Sequence, residues 1–431
     1  MQLADALAYL DRHSNYDVTG RIRDPSLESI ERLMAVMGDP QRAYPVIHLT
    51  GTNGKGSVAA ITSALLTASG LRVGTATSPH LERVNERISV DSEPIADDEL
   101  ADVVAAVADL ELVAGVQPSY FEIVTAAAFR HFADVAVDVA VVEVGLLGRW
   151  DATNVADGQV CIVTNVGLDH QEYAGPTRLH IAREKAGIVK PGSHLILGET
   201  DPELAAVFRA TGPAEVWERD LDFSCAGNQL ALGGRLLDLN TPYGAHPEVF
   251  LPLHGRHQGD NAACALAAVE AFFGAALHDD VLAEGLASVR WPGRFEVVGH
   301  QPLVIVDGAH NPSGADVCAS VFAEDFDPAG QSILVVGMLQ GRDPAEMLGA
   351  LRADEFGLVV ATAPDSPRAA SASTVAAAAR ALGCDDVLLV PQVAKACDAA
   401  LARAGADDAV LVTGSLYVVG EARPHLRRLL P

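Results

Sequence analysis

Positive charge is scarce in this chain. Its 30 Lys and Arg face 57 Asp and Glu, a formal net charge of −27. A field of that sign repels nucleic acid and anionic membrane, so neither is an expected partner. It also repels small anions, so a site for any of them has to be locally basic or metal-loaded. Aromatic residues are only 5% of the chain, and those beside polar loops therefore stand out. The six cysteines, at 161, 225, 264, 318, 384 and 397, include no Cys-x-x-Cys pair. Zinc and dithiol chemistry are not indicated, and a reducing, cytoplasmic setting is expected. The most apolar stretch, 262–277, is interrupted by Glu270 and is too short to span a bilayer. The N-terminus, MQLADALAYLD, has no basic start before an apolar run and does not read as a signal peptide.

What remains is a soluble globular composition, 49% hydrophobic and 20% charged over 431 residues. That length exceeds one ordinary core, so two domains are expected. The strongest local signal is VIHLTGTNGKGS at 46–57. It reads as a short buried strand (46–50), a glycine loop, and a helix over 58–68 opened by Ser57 and stopped by Gly70. Gly51, Gly54 and Gly56 let the backbone turn tightly and approach a ligand. Backbone N–H groups and Lys55 then make a polyphosphate cradle. The pattern is not the generic phosphate loop: Leu49 stands where the first glycine would, and Gly56 separates Lys55 from Ser57.

The rest of the chain alternates strand and helix. Helices are expected over 2–10, 26–38, 96–114 and 118–132, and an irregular loop over 16–24. Strands are expected over 71–75, 138–144 and 160–165. Glu143 lies near the C-terminal end of a mostly apolar strand beside the phosphate loop, the usual position of a Mg²⁺ ligand. His170 follows the next strand. Residues 191–245 read as short strands and turns with no chemistry, and an Ala-rich helix follows over 261–273. Trp291-Pro292-Gly293 breaks regular structure ahead of Arg294, the expected phosphate contact. From about 300 a second strand–helix alternation begins, with Asp307, His310 and Asn311 in the loop after its first strand. This is a doubly wound sheet of about 130 residues.

These blocks resemble one family. GTNGKGS, TSPHL (77–81), YFE (120–122), DH (169–170), IAREKAGI (181–188), HGRHQGDN (254–261), DGAHNP (307–312) and TGSLY (413–417) are similar to motifs of the folate branch of the Mur ligase superfamily. GLLGRWDATN (145–154) departs from that branch at Leu147 and Trp150. The resemblance implies an α/β chain: a P-loop-containing parallel-sheet domain like the Mur ligase central domain over 1–297, binding ATP and folate. A smaller Rossmann-like C-terminal domain over 298–431 would bind glutamate, with the reaction in the cleft between them. The implied enzyme is an ATP-dependent ligase. It adds L-glutamate to dihydropteroate, to the glutamyl tail of folates, or to both, through an acyl phosphate.

The implied roles are specific. Thr52, Asn53, Gly54, Lys55, Gly56 and Ser57 hold ATP, with Asn261 on the adenine, Arg294 at the phosphates and Asp307 facing the nucleotide. Ser78, Glu143, His170 and a carbamylated Lys185 hold two Mg²⁺. Tyr120, Phe121, Glu122, Trp150, Asp151 and Ala152 line the pterin site, and Ser415 lies near the incoming glutamate. Lys185, His310 and Arg294 carry the chemistry, and the working unit is a monomer. Two other readings exist. A non-catalytic nucleotide-binding switch explains 51–57 but not the metal set. A Mur-type ligase acting on a cell-wall nucleotide is opposed by Gly56 and by the 120–122 motif.

Overall fold

The computed structural model describes residues 1–20 and 25–430; residues 21–24, the end of the expected loop, lie outside them. The chain divides into two compact units. One comprises 1–252 with 256–290, the other 253–255 with 291–431. The division falls before the expected boundary at 297/298. The reason is that Glu296–His300 is the edge strand of the second unit's sheet, antiparallel to Leu303–Val306.

The first unit is built on an eight-stranded sheet. Six strands run parallel, in the order Val73–Ala76, Val139–Glu143, Val46–Thr50, Gly158–Val163, His194–Leu197, Glu215–Glu218. A hairpin, Ile88–Val90 and Glu93–Pro94, extends one edge antiparallel. The two central strands are buried at every position, as covered parallel strands must be. Val46 and Ile88 pack with the helices Glu28–Val36, Asp97–Ala114 and Tyr120–Asp134 in one apolar cluster. Residues 224–251 form a separate antiparallel three-stranded meander. Glu270, which breaks the apolar run, is fully buried beside it. Its carboxylate accepts from the Thr241 hydroxyl and from Leu277 N at 3.0 Å, with His246 Nε2 at 3.5 Å. The acid is thus satisfied in place.

The second unit is a six-stranded sheet, parallel except for its edge strand Glu296–His300. Leu303–Val306 and Ala409–Thr413 are adjacent strands in it. Their C-terminal ends carry the 307–311 loop and the 414–415 turn, so the topology brings two of the expected motifs to one end of one sheet. No helix among the described residues is long and apolar enough to cross a membrane.

Candidate active site

In the first unit the glycine loop is clamped from below. Asn53 N donates to Asn165 Oδ1 at 3.0 Å, and Asn53 O accepts from Thr164 Oγ1 at 2.7 Å and Asn165 Nδ2 at 3.0 Å. Gly167 N donates to Thr52 Oγ1 at 2.8 Å. Gly51 has no room for a side chain: a Cβ there would sit 1.8 Å from Thr164 Oγ1. Gly54 takes φ +83° and caps the helix Lys55–Ala68. The helix therefore starts at Lys55, not at 58, and Lys55, Gly56 and Ser57 are its first turn. Their backbone donors have no partner within the helix, the arrangement that suits an anion. Buried Ser57 lies 3.5 Å from Gln258 Nε2, and Gln258 Oε1 accepts from Asn261 Nδ2 at 2.9 Å. Asn261 Oδ1 closes over Gly54.

Register puts Leu49 beside Glu143 on the neighbouring strand, so the acid stands at the mouth of the loop. Its Oε2 accepts from Ser78 N at 3.2 Å. The Ser78 hydroxyl is buried beside it with no hydrogen-bond partner among the described residues. Lys185 is 3% exposed and its Nζ donates to Gly51 O at 2.7 Å. The helix Arg178–Lys185 thus aims into the phosphate loop a lysine that spacing alone would put on the surface. Burial, and secondarily Lys55, push its pKa well below the usual lysine range. His170 has φ +52° and both ring nitrogens engaged: Nδ1 lies 3.3 Å from Tyr16 Oη and Nε2 3.5 Å from Asp169 Oδ2.

The expected folate-side residues have mixed surroundings. Trp150 is 50% exposed. The Phe121 ring covers Gly145, where a Cβ would lie 2.6 Å from it. Tyr120 is buried, with the Arg87 guanidinium 5.4 Å from its ring centre. Glu122 accepts from Ser119 N at 2.7 Å in a capping box. Asp151 accepts from Leu146 N at 2.8 Å and Thr153 N at 3.0 Å, capping the Ala152–Val155 turn. Leu147 keeps a left-handed φ of +58° despite its side chain, and its carbonyl accepts from Thr50 Oγ1 at 2.6 Å. The loop shape that a glycine would allow is therefore held by neighbours.

A buried chain runs from His48 through Thr153 to Asp151. His48 Nε2 lies 2.9 Å from Thr153 Oγ1, whose hydroxyl donates to Asp151. Burial lowers the His48 pKa from 6.5 to about 3 and raises that of Asp151 from 3.8 to about 6. The signs are opposite. Neutral His48 contributes stability above pH 6.5 that is lost as pH falls, because the unfolded chain takes up a proton there. Protonated Asp151 contributes stability below pH 3.8 that is lost as pH rises through about 6. Between about pH 6 and about pH 4 the two slopes, each about 1.4 kcal/mol per unit, nearly cancel. On acidification over that range His48→Gln should raise the urea midpoint relative to the parent protein, and Asp151→Asn should lower it.

In the second unit Asp307 is buried, accepting from Ala309 N at 2.9 Å and Phe295 N at 3.2 Å. Burial raises its pKa, and Arg294 opposes the rise. Arg294 Nη1 lies 2.1 Å from where a Gly308 Cβ would be, so the glycine is the floor under the guanidinium. His310 Nδ1 is 3.2 Å from Gly308 O. Asn311 Oδ1 caps the helix Pro312–Val321, accepting from Gly314 N at 2.7 Å. Ser415 caps the helix Leu416–Leu429, with Gly414 at φ +104° before it. Gly308→Ala should displace Arg294 and lower kcat about as far as Arg294→Ala does. Parallel steady-state assays check this.

Phosphate-binding loop, strand-tip acid and appended α/β unit together define a Mur-type ligase. Residues 49–269 match the Mur ligase middle domain, and 293–416 match the Mur ligase glutamate ligase domain. The chain is 41% identical to a dihydrofolate synthase/folylpolyglutamate synthase of Mycobacterium tuberculosis, over 93% of this chain and 90% of that protein. A structure of M. tuberculosis folylpolyglutamate synthase complexed with ADP superposes with a TM-score of 0.91 at 39% identity, covering 98% of each chain. E. coli FolC in complex with DHPP and ADP gives 0.87 at 31%, covering 100% of this chain and 98% of that one. The chain belongs to the folylpolyglutamate and dihydrofolate synthases of the Mur ligase family.

Proposed function

We propose that the protein is an ATP-dependent ligase that adds L-glutamate to dihydropteroate or to the glutamyl tail of a folate. The observation that carries this reading is the buried Lys185 amine on the Gly51 carbonyl of the phosphate loop. Among the described residues its amine is hydrogen-bonded to that carbonyl and not to a carboxylate, and its lowered pKa favours the neutral amine that can add CO₂. The resulting carbamate is an anion and matches a phosphate-rich, metal-dependent site.

The residues fit a divalent cation. The orphaned Ser78 hydroxyl beside Glu143 is an oxygen pair of the kind Mg²⁺ takes. Among the described residues no three His, Cys, Asp or Glu side chains gather as a metal site, so the proposed set depends on Ser78 and the modified Lys185, with His170. When bound, Mg²⁺ supplies charge neutralisation on the phosphoryl oxygens.

The chain's own groups do the rest. Lys55 and the N–H groups of the first helical turn hold the phosphates of ATP. Gln258 and Asn261 fix the adenine side of the loop. The γ-phosphoryl leaves ADP for a substrate carboxylate, giving an acyl phosphate. The glutamate amine then attacks its carbonyl carbon, and phosphate departs as the amide forms. Arg294, seated over Gly308, supplies positive charge for the transferred phosphoryl group. His310 orients the amine, and Ser415 and the Gly414 turn receive the glutamate. Trp150 and Phe121 offer faces to the pterin, with buried Tyr120 behind them and Glu122, Asp151 and Ala152 shaping the pocket. The working unit is a cytoplasmic monomer.

The test is ADP release by purified protein with ATP, Mg²⁺, glutamate and either dihydropteroate or tetrahydrofolate, with products read by mass. Release that requires both acceptor and glutamate, with a one-glutamate mass gain, is the expected result. Release without amide product, or amide formation on a cell-wall nucleotide instead, would overturn the reading.

A further inference from the structure

The turn Tyr16–Thr19, in the loop that the family resemblance places near the pterin, is also tied to the segments of two proposed metal ligands: to His170 directly, and to Ser78 through Arg87 and His80. It is pinned locally: Asn15 Oδ1 accepts from Asp17 N at 2.9 Å, and Tyr173 Oη donates to Gly20 O at 3.0 Å. Two residues before it, Ser14 O accepts from Tyr120 N at 3.0 Å. From this base two side chains diverge. Tyr16 Oη lies 3.3 Å from His170 Nδ1, and its ring meets the His170 and Tyr173 rings edge-on, each at 6.2 Å. Asp17 forms an ion pair with the buried Arg87 guanidinium. Arg87 Nε in turn donates to His80 Nδ1 at 2.8 Å, two residues beyond Ser78.

We propose that Tyr16 and Asp17 are positioning residues, forming a strut that sets the spacing of the Ser78 and His170 loops. Neither touches the reacting atoms. His170 has a left-handed backbone, which for a side-chain-bearing residue costs about 1 kcal/mol or more and persists only where neighbours enforce it. Asp169 fixes the start of that conformation, accepting from His170 N at 3.0 Å. Tyr16 fixes the ring. Its hydroxyl sits on Nδ1 while Asp169 Oδ2 lies 3.5 Å from Nε2, so the ring is held from both sides, the usual work of outer-shell partners. Asp17 does the same for the other loop through Arg87, whose guanidinium would otherwise be a buried charge without a carboxylate.

The inference rests on the metal reading above, and the experiment separates the two. The probe is Mn²⁺ in place of Mg²⁺, titrated into the full chain with a non-hydrolysable ATP analogue and followed by electron paramagnetic resonance. His170→Ala should lose one bound Mn²⁺. Tyr16→Phe keeps the ring and removes only the hydroxyl. It should weaken Mn²⁺ binding about 10–100-fold, with a melting temperature within about 2 °C of the parent and unchanged metal-free nucleotide affinity. Asp17→Asn should weaken Mn²⁺ in the same direction. If His170→Ala binds Mn²⁺ as the parent does, the metal reading itself fails. If His170→Ala loses the ion but Tyr16→Phe stays within twofold of the parent, the strut alone is overturned. Weakening that only tracks a large drop in melting temperature also overturns it, since the turn would then be merely structural.

Discussion

Lys185→Met should cut turnover about 1,000-fold or more, a loss of at least about 4 kcal/mol of transition-state stabilisation. It should do so in a protein no less stable than the parent. The side chain is buried, and Met has nearly its shape without its amine. At neutral pH a buried lysine whose pKa is depressed is a burden on folding: the unfolded chain binds the proton more tightly, so unfolding takes it up. Removing the amine removes that burden. Against it stands the Gly51 carbonyl, left without its 2.7 Å donor, a cost of about 1–3 kcal/mol. Thermal unfolding and ADP release on one preparation give both numbers. A second signature is spectroscopic: with ¹³C-bicarbonate and Mg²⁺ present, the parent should show a carbamate carbon resonance that Lys185→Met lacks. A Met variant with more than a tenth of parental kcat would exclude a carbamate at this position.

Gly51→Ala is the second large effect, and it acts through space alone. The new methyl would overlap Thr164 Oγ1 at 1.8 Å and meet Thr164 Cβ at 3.0 Å. Thr164 cannot swing aside without dropping its 2.7 Å bond to Asn53 O, one of the clamps under the loop. Overpacking of this kind costs about 1–3 kcal/mol. The displaced loop should raise the ATP KM about tenfold or more, because its N–H groups no longer converge. Gly70→Ala makes a clean control. That glycine also has a positive φ, but nothing lies within 4 Å of the added carbon. It should lose about 1 kcal/mol of stability and leave the ATP KM unchanged. Equal KM shifts in the two variants would show that the loop tolerates movement.

Much of this architecture is written in local patterns. The strands 46–50 and 138–144 were readable because parallel strands covered on both faces are continuous apolar runs, and the acid at 143 is conspicuous in one. Glycine spacing marked the phosphate loop, and the loop after 306 was visible as polar residues at a strand's end. What local pattern could not carry was long-range burial. Nothing near 185 in sequence says that its amine reaches Gly51, 134 residues away. The helix start at Lys55 was misplaced because Ser57 looks like a cap, whereas Gly54 does that job by backbone conformation alone. The Tyr16–Thr19 turn read as a loop because its stabilising partners, His170, Tyr173 and Arg87, lie far along the chain. A signal did exist: a Tyr-Asp pair is unusual in a stretch otherwise suited to a linker.

Leu147 shows how such a loop can change letters without changing course. On one side Gly145 is trapped under the Phe121 ring. On the other, Gly148 faces the backbone oxygens of Glu184 and Lys185, about 3.0 Å from where a Cβ would be. With both flanks fixed, residue 147 has its torsion dictated to it, and a leucine endures what a glycine would adopt freely. Family signatures at such points record geometry imposed from outside, so a search that insists on the customary glycine would discard chains whose catalytic scaffold is intact.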